Sequence, residues 1–225
     1  VVEPLPGNNG LLEQRVEWLE RLRALTREHG AILVFDEVIS GFRLHFGGYG
    51  HKVGIQPDLV TLGKIIGGGM PVGAVAGPRE LMKLLSPEGG VYQAGTLSGN
   101  PVAMAAGIAT LDVLRGGGVY EKLEALGRTF DHALAEQAQG RPWLRARRIG
   151  SLVWFHLDEC DVPRRADAVS GRAIERFNAA YHALLDAGLY LPPSGYEVVF
   201  LCAAHTDEQV RTLVEQVARL AEGAG

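Results

Sequence analysis

The chain has 225 residues, 47% apolar and 21% charged, which is enough apolar side chain for a core and excludes a disordered polymer. Lys+Arg 22 against Asp+Glu 26 leaves a net charge of −4, with no basic stripe for nucleic acid and no basic amphipathic segment for a membrane surface. Two cysteines, Cys160 and Cys202, cannot make a disulfide framework, sit at no metal-ligand spacing, and imply a reducing, cytoplasmic compartment.

The chain opens at Val1, without Met, in the strand-like stretch VVEPLP, and reads as a chain cut within a domain. Residues 11–29 place Leu12, Val16, Leu19, Leu22 and Leu25 at helical spacing, and Gly30 follows as the stop. AILVF (31–35) is a continuous apolar run, as in a strand buried on both faces. DLVTLG (58–63) and VGAVAG (72–77) predict two more strands, and PRELMKLL (78–85) a helix with Pro at its first position. Helices follow over 100–114 and 119–138. Residues 145–157 alternate like strands, 167–187 form a helix ended by Gly188, and 188–204 read as strand, turn and strand. The last helix, 206–222, opens with a capping signature. The expected fold class is α/β over residues 1–112, a mostly parallel sheet with flanking helices, then a smaller α+β domain over 113–225.

Several catalytic patterns fail. Gly63-Lys64 lacks the Walker A glycine, having Asp58 in its place, and is followed by Ile65 rather than Ser or Thr. Ser98 is flanked by Thr96 and Asn100 where a nucleophile elbow needs glycines. The seven histidines, His45, His51 and His156 among them, share no ligand spacing and read as surface or core residues, so no metal is expected.

Three positions carry chemistry. Asp36 ends the AILVF run, where the carboxyl ends of sheet strands face a ligand crevice; its other reading is a cap for the next turn. Lys64 is one of only four lysines and sits in VTLGKIIGGGMPVG between an apolar strand and three glycines. Apolar surroundings favour its neutral amine, the form that makes a Schiff base with an aldehyde; its other reading is a lysine snorkelling from a strand end. Thr96, in YQAGTLSGNP, precedes a helix opened by Asn100 and Pro101. Hydroxyls and free N–H groups there suit a phosphate, and the same residues make a helix cap. Together the three describe a pyridoxal phosphate site: a carboxylate for the ring nitrogen, a lysine for the aldehyde and a hydroxyl loop for the phosphate.

VFDEVISGFR (34–43), PDLVTLGKIIGGGMPVGAVAG (57–77) and YQAGTLSGNPVAMAAG (92–107) resemble the class III, fold type I pyridoxal phosphate aminotransferases. EPLPGNNG (3–10) and LYLPPSGYEVVFLCAAHT (189–206) are similar to the same family, and YQAGTLSGNP points to its intramolecular aminomutase branch. The resemblance implies that Lys64 carries the cofactor and shuttles the proton, and that Asp36 partners the pyridine nitrogen. It also implies that Val38 packs on the ring and that Asn8 lies near the ring hydroxyl. Thr96 would reach the phosphate of the neighbouring subunit's cofactor, making a homodimer, with Tyr92 an aromatic at the site. Glu197 would face the amino groups of a small amino-aldehyde substrate. The cofactor would be pyridoxal 5′-phosphate, passing through its pyridoxamine form. Because the resemblance spans only the C-terminal half of the family's length, the chain alone is expected to be weakly active or inactive. The alternatives are an intermolecular ω-aminotransferase using a keto acid, and a non-catalytic chain that dimerises through its helices.

Overall fold

Leucine spacing and a terminal glycine build helix α1 over Val16–Glu28, with Leu19 buried and Gly30 closing it at φ +63°. The helix starts later than its leucines predict. Leu12 falls outside it because distant partners hold the preceding backbone: the Gly10 N–H donates to the Tyr196 carbonyl at 2.6 Å, and Arg147 Nη1 to the Leu11 carbonyl at 3.1 Å. The computed structural model describes residues 1–223 and divides into two units. One comprises Val1–Leu5 and Gln14–Gly117, the other Pro6–Glu13 and Gly118–Gly225. The division falls between two left-handed glycines, Gly117 and Gly118, rather than at residue 112, because helix α4 (Pro101–Arg115) continues past that point.

In the first unit, β1 (Val34–Asp36) pairs in parallel with β2 (Leu59–Leu62), Asp36 opposite Thr61. Strand β3 (Ala74–Ala76) is antiparallel to β2. Val2 extends the parallel side, bridging Phe35 through the Val2 N–H to the Val34 carbonyl at 3.0 Å and the Asp36 N–H to the Val2 carbonyl at 2.9 Å. Strand β1 is shorter than its apolar run, and Ala31 and Ile32 stay exposed. Helix α2 (Tyr49–Lys52), unforeseen in the sequence, follows a glycine turn. Helix α3 spans only Arg79–Met82, and Pro78 caps it from outside rather than opening it. The chain then folds back so tightly that a Cβ at Gly89 would lie 2.2 Å from the Leu84 carbonyl oxygen.

The second unit is α+β. Helix α5 (Val119–Gln137) leads to a hairpin of β4 (Arg145–Ile149) and β5 (Leu152–His156), which α6 (Gly171–Asp186) follows. Strand β6 (Val199–Phe200) joins the far side of β5, and α7 (Asp207–Glu222) closes the unit. Every residue of β5 is buried. Phe130 and Phe155 meet edge to face, with centroids 5.6 Å apart, in a core with Leu184, Val214 and Val217. Side chains of this size contribute about 2–3 kcal/mol each on burial. The expected strand before Pro192 does not form: the Leu191 N–H turns back to the Leu189 carbonyl at 3.1 Å, and two prolines supply no ladder donors. The capping signature of α7 is a full box, with Thr206 and Gln209 each serving the other's backbone N–H.

Candidate active site

The parallel pair in the first unit sets out the chemistry. Asp36 ends β1, and Lys64 follows β2 after Gly63, so both stand where strand carboxyl ends present side chains to a ligand. Asp36 is half-buried. Its Oδ1 accepts from the Val38 N–H at 3.0 Å and from Thr61 Oγ1 at 3.1 Å, which fixes the carboxylate in place. Its Oδ2 has no hydrogen-bond partner among the described residues. The turn-capping reading of Asp36 therefore accounts for one oxygen only. A fixed carboxylate with one oxygen open fits a protonated ring nitrogen.

Lys64 has φ +48°, a left-handed conformation that a residue with a Cβ seldom adopts and that clusters at functional sites. It opens a 3₁₀ turn, Lys64–Gly67, after which Gly68 is also left-handed at φ +57°. The turn lies hard against α4. A Cβ at Gly68 would fall 2.4 Å from the Ala106 carbonyl oxygen, and one at Gly107 would fall 2.3 Å from that of Ile66. The apolar flanks of the lysine therefore go to helix packing, and Lys64 itself is exposed rather than enclosed by them. Val38 is half-buried beside this turn, its Cγ1 3.2 Å from where a Gly63 Cβ would stand. Asp36, Val38 and Lys64 are thus drawn into one region by β1, β2 and the turn between β2 and β3.

Thr96 is exposed and Tyr92 is 81% exposed, on a loop that is open over nearly its whole length. The free N–H groups expected at the start of α4 are not free: Asn100 Oδ1 accepts from Val102 N at 3.0 Å and from Ala103 N at 3.3 Å. The cap is thereby filled at those two positions, and the Thr96 hydroxyl lies on the exposed loop just before it. Asn8 and Glu197 belong to the second unit. Asn8 is exposed and Glu197 half-buried, the latter donating its N–H to the Ser194 carbonyl at 3.0 Å.

Sequence reasoning missed Glu37, although it lies beside Asp36. It is 2% exposed and accepts from Ser40 Oγ at 3.0 Å, from Gly50 N at 3.0 Å and from the Tyr49 N–H. A Cβ at Gly48 would stand 2.5 Å from its Oε1. The glycines of FGGYG were the available signal: Gly48 clears space for a buried carboxylate that ties the loop after β1 to α2. Two clefts, of about 920 Å³ in the first unit and about 700 Å³ in the second, open elsewhere, and neither is lined by Asp36 or Lys64. Strand ends and a strained lysine locate this site better than concavity does.

The chain is similar to known proteins over nearly all of its length. The family profile "Aminotransferase class-III" matches residues 1–220. The glutamate-1-semialdehyde 2,1-aminomutase of Desulfosudis oleivorans is 48% identical over 212 residues, 93% of this chain and 49% of that protein. The protein of the same name from Syntrophomonas wolfei is 47% identical over 218 residues, 96% of this chain and 50% of that protein. Among solved structures, an omega-transaminase from Sphaerobacter thermophilus superposes with a TM-score of 0.86 at 30% identity, covering 99% of this chain and 51% of that one. The chain thus spans about half the length of the relatives it matches. With the profile matched from Val1 almost to the end, and a lysine and an aspartate at the ends of a parallel strand pair, the chain belongs to the class-III aminotransferases, a pyridoxal phosphate-dependent family.

Proposed function

We propose that this chain carries the lysine-bearing part of an aminomutase that converts glutamate 1-semialdehyde to 5-aminolevulinate for tetrapyrrole synthesis in the cytoplasm, working as a homodimer. The observation that carries the reading is the pairing of Asp36 and Lys64 at the ends of β1 and β2, with Asp36 fixed through Oδ1. Identity of 48% to an aminomutase supports the choice of reaction.

When bound, pyridoxal phosphate supplies an electron sink for the carbon that loses its proton. Asp36 holds the proton on the ring nitrogen, since a carboxylate beside a cation favours the charged form. Val38 would pack on one face of the ring. Lys64 Nζ would hold the cofactor's aldehyde and, once its amine is free of it, would carry a proton between the cofactor and the substrate carbon. Thr96 would donate its hydroxyl to the phosphate of the neighbouring subunit's cofactor, with Tyr92 beside it. Asn8 is assigned to the ring hydroxyl and Glu197 to the amino groups of the substrate. Substrate and product are isomers, so no second substrate is consumed.

The omega-transaminase likeness favours a second reading, amino transfer from an ω-amino compound to a keto acid. The protein expressed from its own gene, incubated with glutamate 1-semialdehyde and no keto acid, separates the two. Sustained 5-aminolevulinate formation supports the aminomutase. A requirement for added keto acid, consumed mole for mole, contradicts it.

A further inference from the structure

Trp154 stands in the middle of the buried strand β5 and is 1% exposed. Its six-membered ring occupies the space that a side chain at Gly10 would need, with Cη2 and Cζ2 each 2.7 Å from a Cβ built there. Gly10 also has φ +81°, so both space and backbone conformation call for glycine. At the other end of the indole, Nε1–H donates to the Gly195 carbonyl at 2.8 Å. The Gly195 N–H is held in turn by Asn178 Oδ1 at 3.1 Å. A direct bond closes the triangle, from the Gly10 N–H to the Tyr196 carbonyl at 2.6 Å. One rigid side chain thus holds the segment that carries Asn8 on one flank and the turn that carries Glu197 on the other. His156 packs edge-on against the indole with centroids 5.4 Å apart.

We propose that Trp154 is a positioning residue that fixes the Asn8 segment and the Glu197 turn in a single mutual register, so that the two side chains are presented as one preset pair. It acts through the backbones of Gly10 and Gly195. The inference rests on the aminomutase reading, which gives Asn8 and Glu197 their roles. A site built on loops is only as exact as the packing that locks those loops, and here a buried ring and its hydrogen bond supply the lock.

The test begins with amide hydrogen exchange on the cofactor-free protein, expressed from its own gene. Trp154→Phe keeps a ring but removes the donor to Gly195. It is expected to speed exchange in residues 6–13 and 193–198 together, while α7 keeps its protection. On the loaded protein, kcat falls roughly tenfold or more with little change in KM, as misplacement of positioned groups does. Gly10→Ala pushes the ring from its other side and should give the same paired loosening, which keeps the test open should Trp154→Phe fail to fold. Trp143→Phe, at an indole that stacks on the Arg176 guanidinium 4.8 Å away, should change neither segment. Loosening of one segment alone, of neither, or of both with an unchanged kcat overturns the proposal. Borohydride labelling of Lys64 is read separately: its absence sinks the aminomutase reading whatever the exchange pattern shows.

Discussion

Two neighbouring carboxylates do opposite work. Asp36 keeps one oxygen open at a strand end, whereas Glu37, 2% exposed, spends itself on Ser40, Tyr49 and Gly50. The place of Asp36 at a strand end was legible from the apolar run before it. The burial of Glu37 was not, because its backbone donors arrive from another turn of the chain. His156 shows the same limit. Its sequence context distinguishes surface from core poorly, yet it is fully buried, with neither ring nitrogen hydrogen-bonded among the described residues. Burial therefore pushes its pKa below the ordinary histidine value; the Asp158 carboxylate opposes the shift, and Arg145 and Arg147 reinforce it. The unfolded chain takes up a proton below about pH 6.5 that the folded chain resists, so stability is full above that pH and falls as pH drops through it. The slope approaches about 1.4 kcal/mol per pH unit, until the folded histidine also protonates. The window is separate from that of Asp158, whose carboxyl is held low by the Ser170 hydroxyl and whose contribution is lost only in stronger acid. Denaturant melts of the wild type and of His156→Phe between pH 7.5 and 5.5 check this. The wild type should weaken across the range and the variant should not; parallel curves would remove His156 as the cause.

At the scale of elements, α4 decides how the Lys64 turn is held. Its first turn could be read in the sequence either as a phosphate cradle or as a cap, since Asn100 and Pro101 serve both. The hydrogen bonds from Val102 and Ala103 to Asn100 choose the cap. Asn100→Ala should accordingly cost about 1 kcal/mol of stability, read by thermal or denaturant melting, and leave cofactor attachment at Lys64 intact. A variant of wild-type stability that no longer retains the cofactor would make Asn100 a ligand instead. Helices with strong periodicity and a marked end, such as α1 at Gly30 and α7 at its capping box, were legible to within a few residues. Short strands were not. Leu189 to Leu191 has the composition of a strand, but Pro192 and Pro193 deny it a ladder, and of residues 188–204 only Val199 and Phe200 pair with β5.

Over the whole molecule, the change from α/β to α+β was expected after residue 112, whereas the two units part between Gly117 and Gly118. The allegiance of Pro6–Glu13 was not legible. That segment joins the second unit through Arg147, which gathers the carbonyls of Leu11, Val162 and Pro163, and through the Gly10 bond to Tyr196. Such long-range bonds leave no periodic trace. Lys64 stands out in the sequence among so few lysines, and the structure adds the left-handed backbone that no pattern of letters encodes. The most direct measurement is to incubate the protein with pyridoxal phosphate, reduce with borohydride and map the modified peptide. The account predicts a stable adduct on Lys64, with Lys52, Lys83 and Lys122 unmodified at stoichiometric cofactor. An unlabelled Lys64, or label spread evenly over the four lysines, would contradict it.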